Sequence, residues 1–155
     1  MNNELRLKRL KKFAKILRTV PRKKFNLDTW GRKKALRKSS EEKPPRNFVE
    51  IDCRTAACAL GWAALDKGFI KDGLHLKWDG EGNADVYYKQ KIDEEAGAKF
   101  FGLTLEEAGG LFMLHGSYPN YDDKIFNYPV KKWKDVTPTM VALKVEILIE
   151  KYSKN

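Results

Sequence analysis

Cys53 stands two residues before Thr55, and Thr55 is placed to cap a helix over Ala56-Ala57-Cys58-Ala59-Leu60-Gly61-Trp62-Ala63-Ala64-Leu65, with Gly68 ending it. A thiol at such a helix start would lie among unpaired backbone N–H groups at the positive end of the dipole, which lowers its pKa. His75 and His115 are the available bases, so a thiol-dependent hydrolase or transferase using Cys53 is one chemistry the residue types allow. No local signature of a cysteine-enzyme family is complete around it, and no catalytic residue is assigned. The plainer reading makes Cys53 and Cys58 small buried groups in a tightly packed helix.

The same two cysteines and two histidines are the chain's whole supply of soft metal ligands. Cys53 and Cys58 are spaced more widely than in zinc knuckles, and on one helix they would point to different faces. Neither a metal nor a cofactor is expected. The carboxylate pairs Glu94/Glu95 and Glu106/Glu107 open predicted helices, where acids favour the dipole. Asp122/Asp123 falls in an irregular stretch, and adjacent carboxylates alone do not make a hydrolytic site. Gly109-Gly110 lacks the strand context and the lysine of a phosphate loop.

Charge is the stronger signal. Residues 1–47 carry 17 Lys/Arg against four acids (Glu4, Asp28, Glu41, Glu42), whereas residues 48–155 carry 14 against 17. The overall +10 is therefore an N-terminal property, and such asymmetry points to an anionic partner. Lys8, Lys11, Lys12, Lys15, Arg18, Arg22, Lys23 and Lys24 lie close enough in sequence to meet several phosphates. Lys33, Lys34, Arg37 and Lys38 extend the footprint. Contacts of this type give salt-sensitive binding with little sequence preference. No helix-turn-helix, zinc-finger or RNA-recognition signature accompanies them. An acidic protein surface is the competing partner.

The elements that must position these residues are readable from spacing. Leu7, Leu10, Phe13, Ala14 and Leu17 recur at helical intervals and predict a helix from about Asn3 to Val20, capped by Asn2 or Asn3 and stopped by Pro21. Its apolar stripe faces the protein's own core, with no membrane role expected. Arg22 to Trp30 is a connector. Residues 31–47, with two adjacent prolines and one leucine, predict a mobile basic linker or loop. Phe48 to Asp52 is a short extended piece. Leu74 to Trp78 and Ala84 to Tyr88 alternate like the strands of a hairpin, with His75 facing solvent. Asp93 to Phe101 predicts a helix ended by Gly102. Thr104 with Glu107 forms a capping box for a helix to about Met113, and Thr137-Pro138 opens a final helix. His115 to Val136 is irregular.

The run Cys53-Arg54-Thr55-Ala56-Ala57-Cys58-Ala59-Leu60-Gly61-Trp62-Ala63 resembles a C-G-T-x-x-C-A-x-G-W-A pattern found in a group of small bacterial and phage proteins of uncharacterised function. Phe25 to Trp30, the Phe100-Phe101-Gly102-Leu103-Thr104 stretch with Glu107-Ala108 and Leu111-Phe112, and Thr137-Pro138 fit the same resemblance. Arg54 departs from it where glycine is usual, as does the density of lysine. The resemblance implies a shared fold and a phage or bacterial source, and no activity comes with it.

The sequence thus predicts one helix-rich α+β domain with a small antiparallel β-hairpin. Residues 1–30 form a basic helix and connector, 31–47 the linker, and 48–155 the globular body. With no apolar run long enough to span a bilayer, no secretory signal and only two cysteines, a cytoplasmic setting is expected, in a bacterial host if the chain is phage-encoded. The expected function is that of a non-enzymatic accessory protein binding nucleic acid or an acidic partner. The alternatives are an inhibitor of a bacterial defence or nucleic-acid enzyme, and the Cys53 enzyme.

Overall fold

The computed structural model describes residues 1–25, 31–33, 55–79, 82–112 and 136–154. Helix α1 (Asn3–Thr19) begins where the Asn2 side chain accepts the Leu5 N–H at 2.8 Å, and it ends ahead of Pro21. Its buried face is Leu10, Phe13, Ala14 and Leu17, together with Arg9. A single 3-10 turn (Arg22–Lys24) leads to the buried Phe25.

The sheet is larger than a hairpin. Strands β1 (Gly31–Lys33), β2 (Thr55–Ala56), β3 (His75–Trp78), β4 (Asn83–Tyr88) and β5 (Lys91–Ile92) pair antiparallel in the order β2-β1-β4-β3, with β5 also on β4. The predicted hairpin is its β3–β4 pair, with His75 opposite Tyr87 and Lys77 opposite Asp85. Two expectations are corrected here. The linker predicted from Gly31 starts instead as a strand, because Arg32 finds backbone partners on both sides, Ala56 and Asn83. Thr55 is not a helix cap but lies in β2, opposite Lys33. The rest of the predicted linker, residues 34–47, lies outside the described residues, as does the extended piece Phe48 to Asp52.

Helix α2 (Ala59–Ala64) accordingly starts later than predicted and is capped by Cys58, whose sulfur accepts the Gly61 N–H at 3.4 Å. Every α2 residue is buried. Gly68 does not end α2 but sits in a separate helix, α3 (Lys67–Lys71), capped by Asp66. Helix α4 (Asp93–Phe101) ends at Gly102, whose φ of 68° is left-handed and suits glycine. Helix α5 (Leu105–Phe112) opens on the predicted box: Thr104 Oγ1 accepts the Glu107 N–H at 3.1 Å, and Glu107 Oε2 accepts the Thr104 N–H at 2.9 Å. Helix α6 (Pro138–Ser153) carries Thr137 as its cap.

These pieces close around one core. Helix α1 runs antiparallel to α6, with Asn3 bonded to the Tyr152 carbonyl at one end and Arg22 to the Val136 carbonyl at the other. Helices α2 and α4 cover the inner sheet face, where Leu76, Ala84, Val86 and Tyr88 are buried. Phe13, Phe69, Phe100, Phe101 and Phe112 meet at the centre. A helix-rich α+β fold is the result. No described helix is long and apolar enough to cross a membrane.

Candidate functional site

Helix α1 divides its cations between structural duties and open surface. Arg9 is buried at 8% exposure and was not marked by its charge, although it stands one turn before Phe13 on the core-facing side. Its guanidinium donates to the Phe100 carbonyl at 2.7 Å, lies 3.9 Å from the Phe100 ring centroid and reaches Asp72 at 3.4 Å. A cation there satisfies a carbonyl in the last turn of α4, where the helix dipole is negative. Arg6 stacks over the Tyr152 ring, 4.0 Å from its centroid.

Of the predicted binding residues, three are committed to partners within the fold. Lys12 pairs with Asp66 and lies 4.6 Å from the Phe69 ring centroid. Arg18 donates twice to Glu146, at 2.7 and 3.1 Å. Arg22 holds the Val136 carbonyl at 2.8 Å, and so ties the connector to the start of α6. Lys24 is half-buried, and its carbonyl accepts from Ala57 N and Trp62 Nε1.

Lys8, Lys11, Lys15 and Lys23 are exposed, and none has a partner among the described residues. The first three recur at i, i+3 and i+7, so they occupy an arc of about 60° and span roughly 10 Å of helix axis. Glu4 shares that side one turn earlier. Lys33 lies in β1, while Lys34, Arg37 and Lys38 fall outside the described residues.

The thiol chemistry divides in the same way. Cys53 and His115 lie outside the described residues. Cys58 is fully buried; burial pushes its thiol up to about 12, against the opposing pull of the Gly61 and Leu60 N–H groups. A helix start does not activate this sulfur, because desolvation of the thiolate outweighs the dipole. Native protein treated with iodoacetamide near neutral pH should leave the Cys58 peptide unmodified, and denaturant should expose it to alkylation. Rapid native labelling of that peptide would contradict the assignment.

Asp93 serves the architecture. It takes a left-handed φ of 52°, and its carboxylate accepts the Val86 N–H at 2.9 Å, fixing the turn from β5 into α4. Burial raises its pKa, opposed by that hydrogen bond and reinforced by Asp85. Glu94 is raised by burial and by its neighbour Glu95. Among the described residues, no group of three or more His, Cys, Asp or Glu side chains is placed to hold a metal ion. His75 is exposed on β3, as predicted, and its Nδ1 is 3.0 Å from the Gly73 carbonyl.

No family model, curated protein or solved structure matches the chain.

Proposed function

We propose that this is a non-enzymatic accessory protein that binds nucleic acid through the basic side of its N-terminal segment. The observation that carries this reading is the row Lys8, Lys11 and Lys15 on α1, with Lys23 in the connector, exposed and uncommitted beside cations paired within the fold. Unpaired surface lysines at one-turn spacing gain little by themselves for a folded protein, but they suit a chain of phosphates. The basic residues Lys33, Lys34, Arg37 and Lys38 would lengthen the same contact. The resemblance around Cys53 to Ala63 adds a phage or bacterial setting to the proposal.

Titration of the full chain with labelled DNA and RNA across a salt series tests it. Affinity should fall steeply as salt rises. Replacing Lys8, Lys11, Lys15 and Lys23 together with glutamine should flatten the log–log salt slope by about 3, since each lost phosphate contact removes about 0.7–0.9. Unlike these four, the buried Arg9 and the exposed Arg22 each hold a backbone carbonyl of another element, so their replacement would disturb stability first. No binding at low salt, or an unchanged slope in the quadruple variant, would overturn the proposal. Nucleic-acid-independent capture of a bacterial protein on the same four lysines would favour an acidic protein surface instead.

A further inference from the structure

We infer that the open face of the sheet carries a base-stacking platform, built on His75 and Tyr87, for single-stranded nucleic acid. The inference rests on the nucleic-acid reading above and adds to it a preference for unpaired strands at a second surface.

Burial alternates along β3 and β4. Leu76, Ala84, Val86 and Tyr88 face the helices, while His75, Lys77, Asp85 and Tyr87 take the other side. Polar groups are ordinary on the solvated face of an antiparallel sheet. Two aromatic rings held near-parallel there are less so. His75 and Tyr87 are direct register partners, with ring centroids 6.0 Å apart and planes 19° from parallel. Such an offset pair also supports the hairpin, and with His75 exposed and Tyr87 half-buried a base can stack on the pair.

One cation and one carboxylate flank the rings. Lys77 shares the face, with Nζ 5.6 Å from the Tyr87 centroid. Asp85 is the opposing charge, directly across from Lys77. An exposed cation–π contact is weaker than base stacking, so an incoming base displaces the Lys77 ammonium toward the phosphates.

Strand state follows from geometry. In a duplex each base face is covered by its neighbours, and rings fixed on a sheet face reach only unpaired bases. The lysines of α1 contact phosphates alone and do not make this distinction.

The experiment compares three ligands for the full wild-type chain at one salt concentration: oligothymidylate, an abasic strand with the same number of phosphates, and a duplex. The thymidylate strand should bind at least about tenfold tighter than the abasic strand, the scale of one stacked base. His75→Ala and Tyr87→Ala should each lower thymidylate affinity about fivefold or more without changing the salt slope, while Tyr87→Phe retains binding. In spectra of the wild-type complex, the His75 and Tyr87 ring resonances should shift.

Equal affinity for thymidylate and abasic strands would overturn the platform and leave the α1 interface standing. Strand binding with both rings unshifted would do the same and assign the face to another occupant or to none. If no ligand binds at low salt, this inference and the proposed function fail together.

Discussion

Replacing Phe101 with alanine should lower the unfolding free energy by about 3–5 kcal/mol, the range for emptying a buried aromatic site. Phe101 lies in α4 and is fully buried. Its ring centroid is 4.8 Å from that of Phe13 on α1, 5.7 Å from Phe69 on α3 and 6.1 Å from Phe112 on α5. The neighbouring Phe100 ring meets it edge-on at 5.0 Å. Four elements therefore lose contacts at once, and a site walled by rigid rings collapses poorly around a void. A domain of this size holds about 5–15 kcal/mol in all, so a large share of the native stability would go. Urea unfolding would show a lower midpoint at unchanged slope. Leu105, 57% exposed at the start of α5, supplies the control: Leu105→Ala should change stability by about 0.5 kcal/mol or less. A loss below about 1.5 kcal/mol at Phe101 would mean that the aromatic cluster is not the centre of the core.

That cluster was partly legible in the sequence, and the reasons differ residue by residue. Leu10, Phe13 and Leu17 keep helical spacing, and each is buried. Asn2, Thr104 with Glu107, Gly102 and Thr137-Pro138 act through local backbone chemistry, so the helix ends they mark appear where expected. The misplaced start of α2 has a non-local cause. Threonine is the better cap by side-chain chemistry, but Thr55 and Ala56 pair with Lys33 and Arg32, a contact across more than twenty residues. A weak cap, Cys58, is left to begin the helix.

Strand β1 escaped notice for a related reason. Gly-Arg-Lys carries no apolar alternation, and its place is secured by backbone pairing on both edges. Among the cations of α1 and its connector, charge alone did not separate Lys12, Arg18 and Arg22, each committed to a partner, from Lys8, Lys11, Lys15 and Lys23. Only the positions of Asp66, Glu146 and the Val136 carbonyl make that division.

The other large effect belongs to Glu107, which is 4% exposed although charged. Its carboxylate accepts from the Thr104 N–H at 2.9 Å, the Tyr152 hydroxyl at 2.6 Å and the Lys151 ammonium at 2.9 Å, joining the start of α5 to the end of α6. Burial works against its ionisation. The hydrogen bonds from Tyr152, Lys151 and Thr104 and the Lys151 charge together outweigh burial and hold its pKa below the usual glutamate range. Glu107→Ala should cost about 2–4 kcal/mol, because it removes a helix cap and leaves the Tyr152 hydroxyl and Thr104 N–H without their acceptor. Glu107→Gln keeps an acceptor and should cost less.

The pH dependence has a definite sign. A carboxylate with a depressed folded pKa contributes its full stabilisation above the unfolded value, near 4.5, and loses it as pH falls through the folded pKa. The wild type should therefore destabilise more steeply than Glu107→Gln as acid is added below that value. At the alkaline end the sign reverses. Burial and the Glu107 carboxylate raise the Tyr152 phenol to about 12, so its contribution is complete below pH 10 and is lost as pH rises through 12. Tyrosinate absorbance would show a late-titrating phenol, that of Tyr152, in the wild type. In Glu107→Ala that phenol should titrate earlier, since the carboxylate acceptor and its charge are both gone. Identical acid profiles for the wild type and Glu107→Gln would remove Glu107 as the linkage between α5 and α6.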